Sequence, residues 1–346
     1  LSIAEILAAH RIPGAQVVHR RGGSMLLDVG CGVLEAMPDA VVSGRGAAVT
    51  SSSVFQAASL SKVVFSYLVL RRVQQGLLDL DRPLWEYVQL SRLRDSEPAR
   101  AITARMVLSH TTGLPNWHDG AGNEEAALIP EFTPGTRFTY SGDAFTVLQQ
   151  VVEHLDGVPL EVSAAREIFE PWGMSDSSFV GRDADLTRTA SGHGADGASS
   201  GPSHFRRANA AFTLTTSASD YSRFLQRAVI LGQGLSPVLH AAWLSPASDA
   251  ALLRSGPSLP PTSCVRWGLG LGLELSELGP VAWHWGDNGN HRAFFAALPE
   301  SAESLVMMFN AEQGQECVEE ILGEVFPGTR FACVDWVQEY YRGGGD

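Results

Sequence analysis

The sequence predicts a mixed α/β protein of two lobes, and three observations predict it. Short strand-like runs gather near the two ends of the chain, while the stretch from about 81 to 204 changes to helical segments broken by Gly, Pro and Asn turns. At 346 residues, 45% apolar and 18% charged, the chain has an ordinary globular composition and enough length for a large core in more than one lobe. The expected division is an α/β lobe from residues 1–80 and 205–346, with a mainly helical lobe at 81–204 inserted between them.

A helix is expected over about 2–10, then two strands in "IPGAQVVHRRGGSMLLDVGCG" around the turn Arg21-Gly22-Gly23. Residues 41–53 are small and polar and read as a loop. The run "SLSKVVFSYLVLRRVQQG" is an apolar helix ended by Gly76. In the middle region, "DRPLWEYV", "ITARMVLSHTTGLPNW", "AFTVLQQVVEHLDGVPL" and "SAAREIFEPWGM" read as helical, up to the loop "SGHGADGASSGPS". Beyond it come the helix "SASDYSRFLQRAVILGQG" and the strands "RWGLGLGLEL", "GPVAWHWG", "RAFFAALP" and "ESLVMMFN" of one sheet. Two C-terminal helices follow, near 313–325 and 332–341.

The net charge of −13 argues against nucleic acid as a partner, since that binding rests on clustered Lys and Arg. No apolar run reaches the roughly 20 residues of a membrane span. Cys31, Cys264, Cys317 and Cys333 are far apart and form no C-x-x-C pair, so they read as small hydrophobes; a disulfide among them stays open. "HDGAGNEE" (118–125) has no regular metal-ligand spacing, and the glycines of "GLGLG" open no helix, so no metal or cofactor is implied. The sequence leaves the compartment open: cytoplasmic, or periplasmic if a signal peptide preceded Leu1.

Of the 25 Lys and Arg residues only Lys62 is a lysine, three residues after Ser59 in "FQAASLSKVVF". An ammonium buried among apolar residues can lose its proton near neutral pH, whereas a guanidinium cannot. A neutral amine one helical turn from a serine hydroxyl is placed to take its proton; read alone, the same pair also fits a capping serine and a snorkelling lysine. Tyr140, in "FTYSGDAF", stands just before an amphipathic helix where a phenol could relay protons, or simply fix a turn. In "WHWGDNGNHRAFF", a strand carrying His284 breaks at Gly286, a residue that lets a ligand lie close to the backbone; the alternative is a sheet-edge histidine before a hairpin at Asp287-Asn288-Gly289. His110 in "SHTTG" reads as a turn-former.

Taken in order, these motifs resemble the serine β-lactamase and penicillin-binding-protein superfamily, in the branch of class C-like β-lactamases, D,D-peptidases and family VIII esterases. "SLSK" resembles its Ser-x-x-Lys motif, "YSG" stands in the place of Tyr-x-Asn, and "HWG" in that of Lys-Thr-Gly. "MVLSHTTGLPNW", "GLLDLDRPLWEYV", "TTSASDYSRFL" and "WGLGLGLEL" also resemble family segments, so the likeness runs from about residue 10 to 325. The resemblance implies a β-lactamase/transpeptidase-like fold, an antiparallel sheet flanked by helices plus a helical lobe, with the active site in the cleft between them. It implies Ser59 as acylated nucleophile, Lys62 as its base, Tyr140 as proton relay and His284 in the third motif's lysine position. The backbone N–H groups of Ser59 and Asp287 would form an oxyanion hole, with Gly142, Trp285, Gly286 and Asn288 along the substrate.

Two departures bear on substrate. Gly142 stands where the family has an amide-binding asparagine, although Asp143 could partly replace it, and His284 stands where lysine binds an anionic group. Trp267, Trp283 and Trp285 would add apolar surface. Together they favour esters over anionic β-lactams, hence a serine hydrolase of carboxylesterase type acting on small-molecule ester, amide or peptide substrates. The alternatives are an acyltransferase or peptide cyclase, a β-lactamase or D-amino-acid peptidase, and a non-catalytic penicillin-binding-like sensor.

Overall fold

The structure is a computed structural model that describes residues 1–36, 46–118, 126–250 and 264–342. Part of the loop expected at 41–53, and all of "HDGAGNEE" except His118, lie outside the described residues. Among the described residues run nine strands: β1 (Gly14–Arg21), β2 (Ser24–Gly32), β3 (Phe55–Gln56), β4 (Thr215–Thr216), β5 (Val265–Trp267), β6 (Gly272–Ser276), β7 (Gly279–Asp287), β8 (Arg292–Leu298) and β9 (Glu303–Phe309). No helix is long and apolar enough to cross a membrane among those residues.

The chain folds as two compact units: Leu1–Ser61, Glu161–Leu231 and Ser276–Phe331 make the first, and Lys62–Leu160, Gly232–Leu275 and Ala332–Asp346 the second. These borders differ from the expected ones. Residues 161–204 fold with the first unit, and 62–80 and 232–275 with the second.

In the first unit, strands lie in the order β2-β1-β9-β8-β7, each antiparallel to its neighbour. β8 and β9 are buried along their whole length, which explains why "RAFFAAL" and "ESLVMMF" do not alternate. β2, at the edge, is largely exposed. Gly22 (φ 56°) turns β1 into β2. The Asn310 side chain closes the far end of that hairpin: its oxygen accepts from Gly14 N–H at 2.7 Å, and its amide donates to the Val33 and Leu34 carbonyls, each at 3.1 Å. Helix Ala218–Phe224 packs on β1 and β9 and is capped by the Ser217 hydroxyl, as the Ser/Asp start predicts.

In the second unit, helix Ser61–Gln74 is buried on every side through Leu70, as a run with no polar face requires. Helix Gly142–Asp156 is capped by Ser141 at its start and by Gly157 (φ 65°) at its end. Arg72 clasps Asp156 with two hydrogen bonds of 2.5 and 2.7 Å. The middle region is less helical than expected. "ITARMVLSHTTGLPNW" is helical only at Ala104–Leu108, because His110 (φ 54°) and Gly113 (φ 75°) take left-handed backbone. "RWGLGLGLEL" is two paired strands, β5 and β6, rather than one. Gly270 makes the turn with φ 95°, and a Cβ there would lie 1.8 Å from Ser66 Oγ.

Candidate active site

Ser59 lies in a 3-10 turn, Ala58–Leu60, that leads into helix Ser61–Gln74. The turn begins on a left-handed non-glycine residue, Ala58 (φ 49°), a conformation that costs about 1–3 kcal/mol unless its surroundings impose it. They do impose it. Ala57 N–H donates to Leu214 O (2.8 Å), and the Ser61 hydroxyl donates to Ala58 O (2.6 Å) while accepting from Leu214 N–H (2.9 Å). The Tyr221 hydroxyl donates to Leu60 O at 3.0 Å. Ser59 itself stays partly exposed among buried neighbours.

β7 packs against this turn. Gly286 makes the approach possible, since a Cβ would stand 2.5 Å from Ala57 O and 3.2 Å from Ala58 Cβ. Gln315 steadies the strand by donating to the Gly286 (3.3 Å) and Ala293 (3.0 Å) carbonyls. Asp287 ends the strand, its carboxylate accepting from Gly289 N–H (2.7 Å) and from Arg292. His284 is fully buried, and its Nδ1–H donates to Trp285 O at 2.6 Å, which leaves Nε2 as the ring's acceptor when neutral.

Two residues expected along the substrate are engaged within the protein. The Trp285 indole is 2% exposed, held between the rings of Trp283 and His284, and Trp283 and Trp267 are wholly buried, so these tryptophans are core. The Asn288 amide N–H groups are spent on Gln56 Oε1 (2.8 Å) and Phe212 O (3.3 Å), which ties the β7–β8 turn to neighbouring backbone and side chain.

In the second unit, Lys62 is 0% exposed, and loss of solvent pushes its ammonium pKa well below the usual lysine range. Its Nζ lies 4.8 Å from the centroid of the Tyr140 ring and 5.5 Å from that of Phe145. The structure therefore brings Lys62 and Tyr140 together. Tyr140 is held by aromatic neighbours: the His110 ring at 4.3 Å, Trp267 at 6.1 Å and, from the C-terminal helix Ala332–Arg342, Tyr340 at 5.8 Å. His110 is a positioning group. Its Nδ1 accepts from Ser141 N–H at 3.1 Å, and its carbonyl accepts from Thr139 N–H at 2.7 Å, bracketing Tyr140.

Gly142 and Asp143 are also defined. A Cβ on Gly142 would stand 2.4 Å from the Trp117 indole, so a larger residue fits only if that ring moves. Asp143 cannot stand in for the missing asparagine. Its carboxylate binds Arg92 at 3.1 Å and accepts from His118 N–H at 2.7 Å, and both Arg92 and Asp143 are 2% exposed. Cys31 and Cys264 are partly exposed and Cys317 and Cys333 buried, and burial raises the Cys317 thiol pKa to about 12.

Residues 2–323 match the family model described as Beta-lactamase. The chain belongs to the beta-lactamase family. Among curated proteins of this kind it is 27% identical to penicillin-binding protein 4 of Amycolatopsis lactamdurans, over 91% of this chain and 86% of that one. It is 29% identical to esterase EstB of Burkholderia gladioli, over 51% of this chain and 49% of the relative. The octameric penicillin-binding protein homologue of Pyrococcus abyssi shares the fold, with a TM-score of 0.74 over 93% of this chain and 76% of that one at 19% identity. Other relatives in the beta-lactamase family include D-alanyl-D-alanine carboxypeptidase/endopeptidase AmpH of Escherichia coli, so the family spans esterases, carboxypeptidases and penicillin-binding proteins.

Several supports of this beta-lactamase-family site were not singled out in sequence: Trp117, Asn116 and Arg92 around the start of helix Gly142–Asp156, Tyr340 beside Tyr140, and Trp336 stacked on Tyr340. Trp117 alone carried a local signal, as the aromatic closing "GLPNW".

Proposed function

We propose that this chain is a serine hydrolase that works through an acyl-enzyme on Ser59, and that it is a carboxylesterase for small or medium acyl esters. One observation carries the reading: the chain's single lysine is fully buried, depressed in pKa by desolvation, one turn after a partly exposed serine on a strained turn. In the proposed cycle the neutral Lys62 amine takes the Ser59 hydroxyl proton as Oγ attacks the ester carbonyl carbon. The backbone N–H groups of Ser59 and Asp287 stabilise the oxyanion that develops. Tyr140 passes its proton to the departing alkoxide, giving alcohol and acyl-Ser59, and then takes one from the water that frees the acid, while the Lys62 ammonium returns its proton to the released Ser59 Oγ. His284, fully buried with its Nδ1–H on Trp285 O, supports the β7 backbone beside the site.

The ester preference is supported by Gly142, which offers no amide, and by Asp143, whose carboxylate is engaged. The names of EstB and of the lovastatin esterase of Penicillium rubens, 30% identical over 40% of this chain, agree with it. A penicillin-binding or D,D-peptidase reading is favoured by one fact, the length over which the chain matches penicillin-binding protein 4. Initial rates on p-nitrophenyl butyrate and on a chromogenic cephalosporin, with Ser59→Ala as blank, separate the two. Ester turnover lost in the mutant, with little cephalosporin opening, is expected. Fast cephalosporin opening would favour the second reading, and an active Ser59→Ala protein would end both.

A further inference from the structure

Helix Ala332–Arg342 lies beyond residues 2–323, the span that matches the family model, yet it folds with the unit that holds Lys62 and Tyr140. Its sequence makes one face apolar: Cys333, Val334, Trp336 and Val337 are buried, and Tyr340 follows Trp336 by one turn. Contacts along that face fix it within the unit. At the helix start, Cys333 N–H donates to Glu274 Oε2 at 2.5 Å, a buried carboxylate set against the positive end of the helix. Further on, Trp336 Nε1–H donates to Ala250 O at 3.0 Å, and the Trp336 ring lies 5.9 Å from Trp267 and 6.1 Å from Phe138. The Tyr340 ring then stacks on Trp336 (5.7 Å, 11°) and meets the Tyr140 ring edge-on (5.8 Å, 70°).

We infer that Tyr340 is a positioning residue for Tyr140, and that the C-terminal helix is a brace holding the phenol where it moves protons. The inference rests on the acyl-enzyme reading above, in which Tyr140 serves both half-reactions. The hydrogen bonds from Thr139 and Ser141 to His110 fix the main chain on either side of Tyr140, not its ring. A phenol on a fixed backbone can still change rotamer, so packing decides where its oxygen lies. The His110 ring lies 4.3 Å from that of Tyr140, and Trp267 and Tyr340 stand across it at 81° and 70°. His110 and Trp267 lie inside the span that matches the family model, and Tyr340 outside it. An edge-on aromatic pair contributes about two- to twelvefold to an equilibrium that depends on it, here the one between held and released phenol. Glu274 and Trp336 anchor the helix that delivers this contact.

The test measures kcat and KM on p-nitrophenyl butyrate for the wild type, Tyr340→Phe, Tyr340→Leu, Tyr340→Ala, Glu274→Ala and Tyr340→Ala/Glu274→Ala, each corrected with a Ser59→Ala blank and checked for folding by thermal melting. Tyr340→Ala should lower kcat about threefold to tenfold with KM nearly unchanged, because both half-reactions slow together. Tyr340→Leu, which keeps apolar volume, should fall between Ala and wild type, and Tyr340→Phe should keep nearly all of kcat. Glu274→Ala acts through the same ring, so the double variant should lose less than the product of the two single losses. Three results would each overturn the inference: kcat within about 1.5-fold of wild type in both Tyr340→Ala and Tyr340→Leu, a Phe variant as slow as the Ala one, or a double variant that loses the full product. A loss that appears in KM alone would also overturn it, since it would put Tyr340 on the substrate. A second readout needs no turnover. Lys62 is the chain's one lysine and its Nζ lies 4.8 Å from the centroid of the Tyr140 ring, so in protein labelled at Lys and Tyr the NOE between them reports where that ring sits. The NOE should persist in Tyr340→Phe and weaken in Tyr340→Ala and Glu274→Ala. That pattern in a protein that cleaves no ester would sink the hydrolase reading and leave the brace on Tyr140 standing. An NOE as strong in Tyr340→Ala as in the wild type would overturn the brace.

Discussion

Replacing Lys62 with Met tests the central chemistry through stability rather than activity. Lys62 is 0% exposed and its pKa is driven well below 10.5 by desolvation. Between that depressed native value and 10.5, the folded protein binds fewer protons at this site than the unfolded chain does. Unfolding then takes up a proton, so stability rises with pH, by up to about 1.4 kcal/mol per pH unit. Across two units inside that window the wild type gains about 2.7 kcal/mol from this one group. Below the native pKa both states are protonated, and the slope vanishes.

Met is unbranched, of similar length and uncharged, so Lys62→Met removes the slope while filling the site. Urea unfolding of both proteins from pH 6 to 10 gives a difference curve in which the other titrating groups cancel. The expected curve has the mutant more stable near neutrality, with its advantage shrinking as pH climbs toward 10. Ester turnover should be lost in the mutant at every pH. A flat difference curve would mean that the native ammonium stays charged and compensated, and the case for Lys62 as a neutral base would fail. Lys62→Arg should lose both activity and stability, since a guanidinium cannot discharge itself on burial.

Gly286→Ala would set a Cβ 2.5 Å from Ala57 O and displace the turn that carries Ser59, so kcat on p-nitrophenyl butyrate should fall about 100-fold or more. A mutant with unchanged kcat would show that β7 and the turn can separate without cost. Arg92→Met leaves the buried Asp143 carboxylate without its cation and should cost about 3–5 kcal/mol in urea unfolding. A loss below about 1 kcal/mol would mean that the pair behaves as an exposed one.

Much of the fold was legible because its signals are local. The strand pair around Gly22 and the apolar runs that became β7, β8 and β9 are bounded by turn residues, and two-sided burial needs no alternation. The misread segments are those decided by distant neighbours. Gly268 to Leu271 continues the apolar texture of a strand, and only the close approach of Gly270 to Ser66, some two hundred residues away in sequence, makes it a turn. The helix in "ITARMVLSHTTGLPNW" stops as early as Leu108 because His110 trades helical backbone for a carbonyl and ring nitrogen that bracket Tyr140. The borders of the two units depend on which remote segments pack together, which periodicity does not encode.

The candidate site divides along the same line. Ser59 and Lys62 are three residues apart, so their pairing is written in one turn of chain, whereas the meaning of Gly142 depends on Trp117 and that of Asp143 on Arg92. Asn288 and Trp285 looked available because nothing adjacent in sequence shows what engages or buries them. The buried cations then explain why a single lysine persists in this chain. Arg72 and Arg92 are each 2% exposed, and each has a carboxylate within 3.1 Å, so a permanent charge and a planar fork serve there. Lys62 is buried more deeply still, with its Nζ over the rings of Tyr140 and Phe145 and its pKa governed by desolvation. A guanidinium at that position would stay charged whatever its surroundings, while an amine can give up its proton and so take one from a neighbouring hydroxyl.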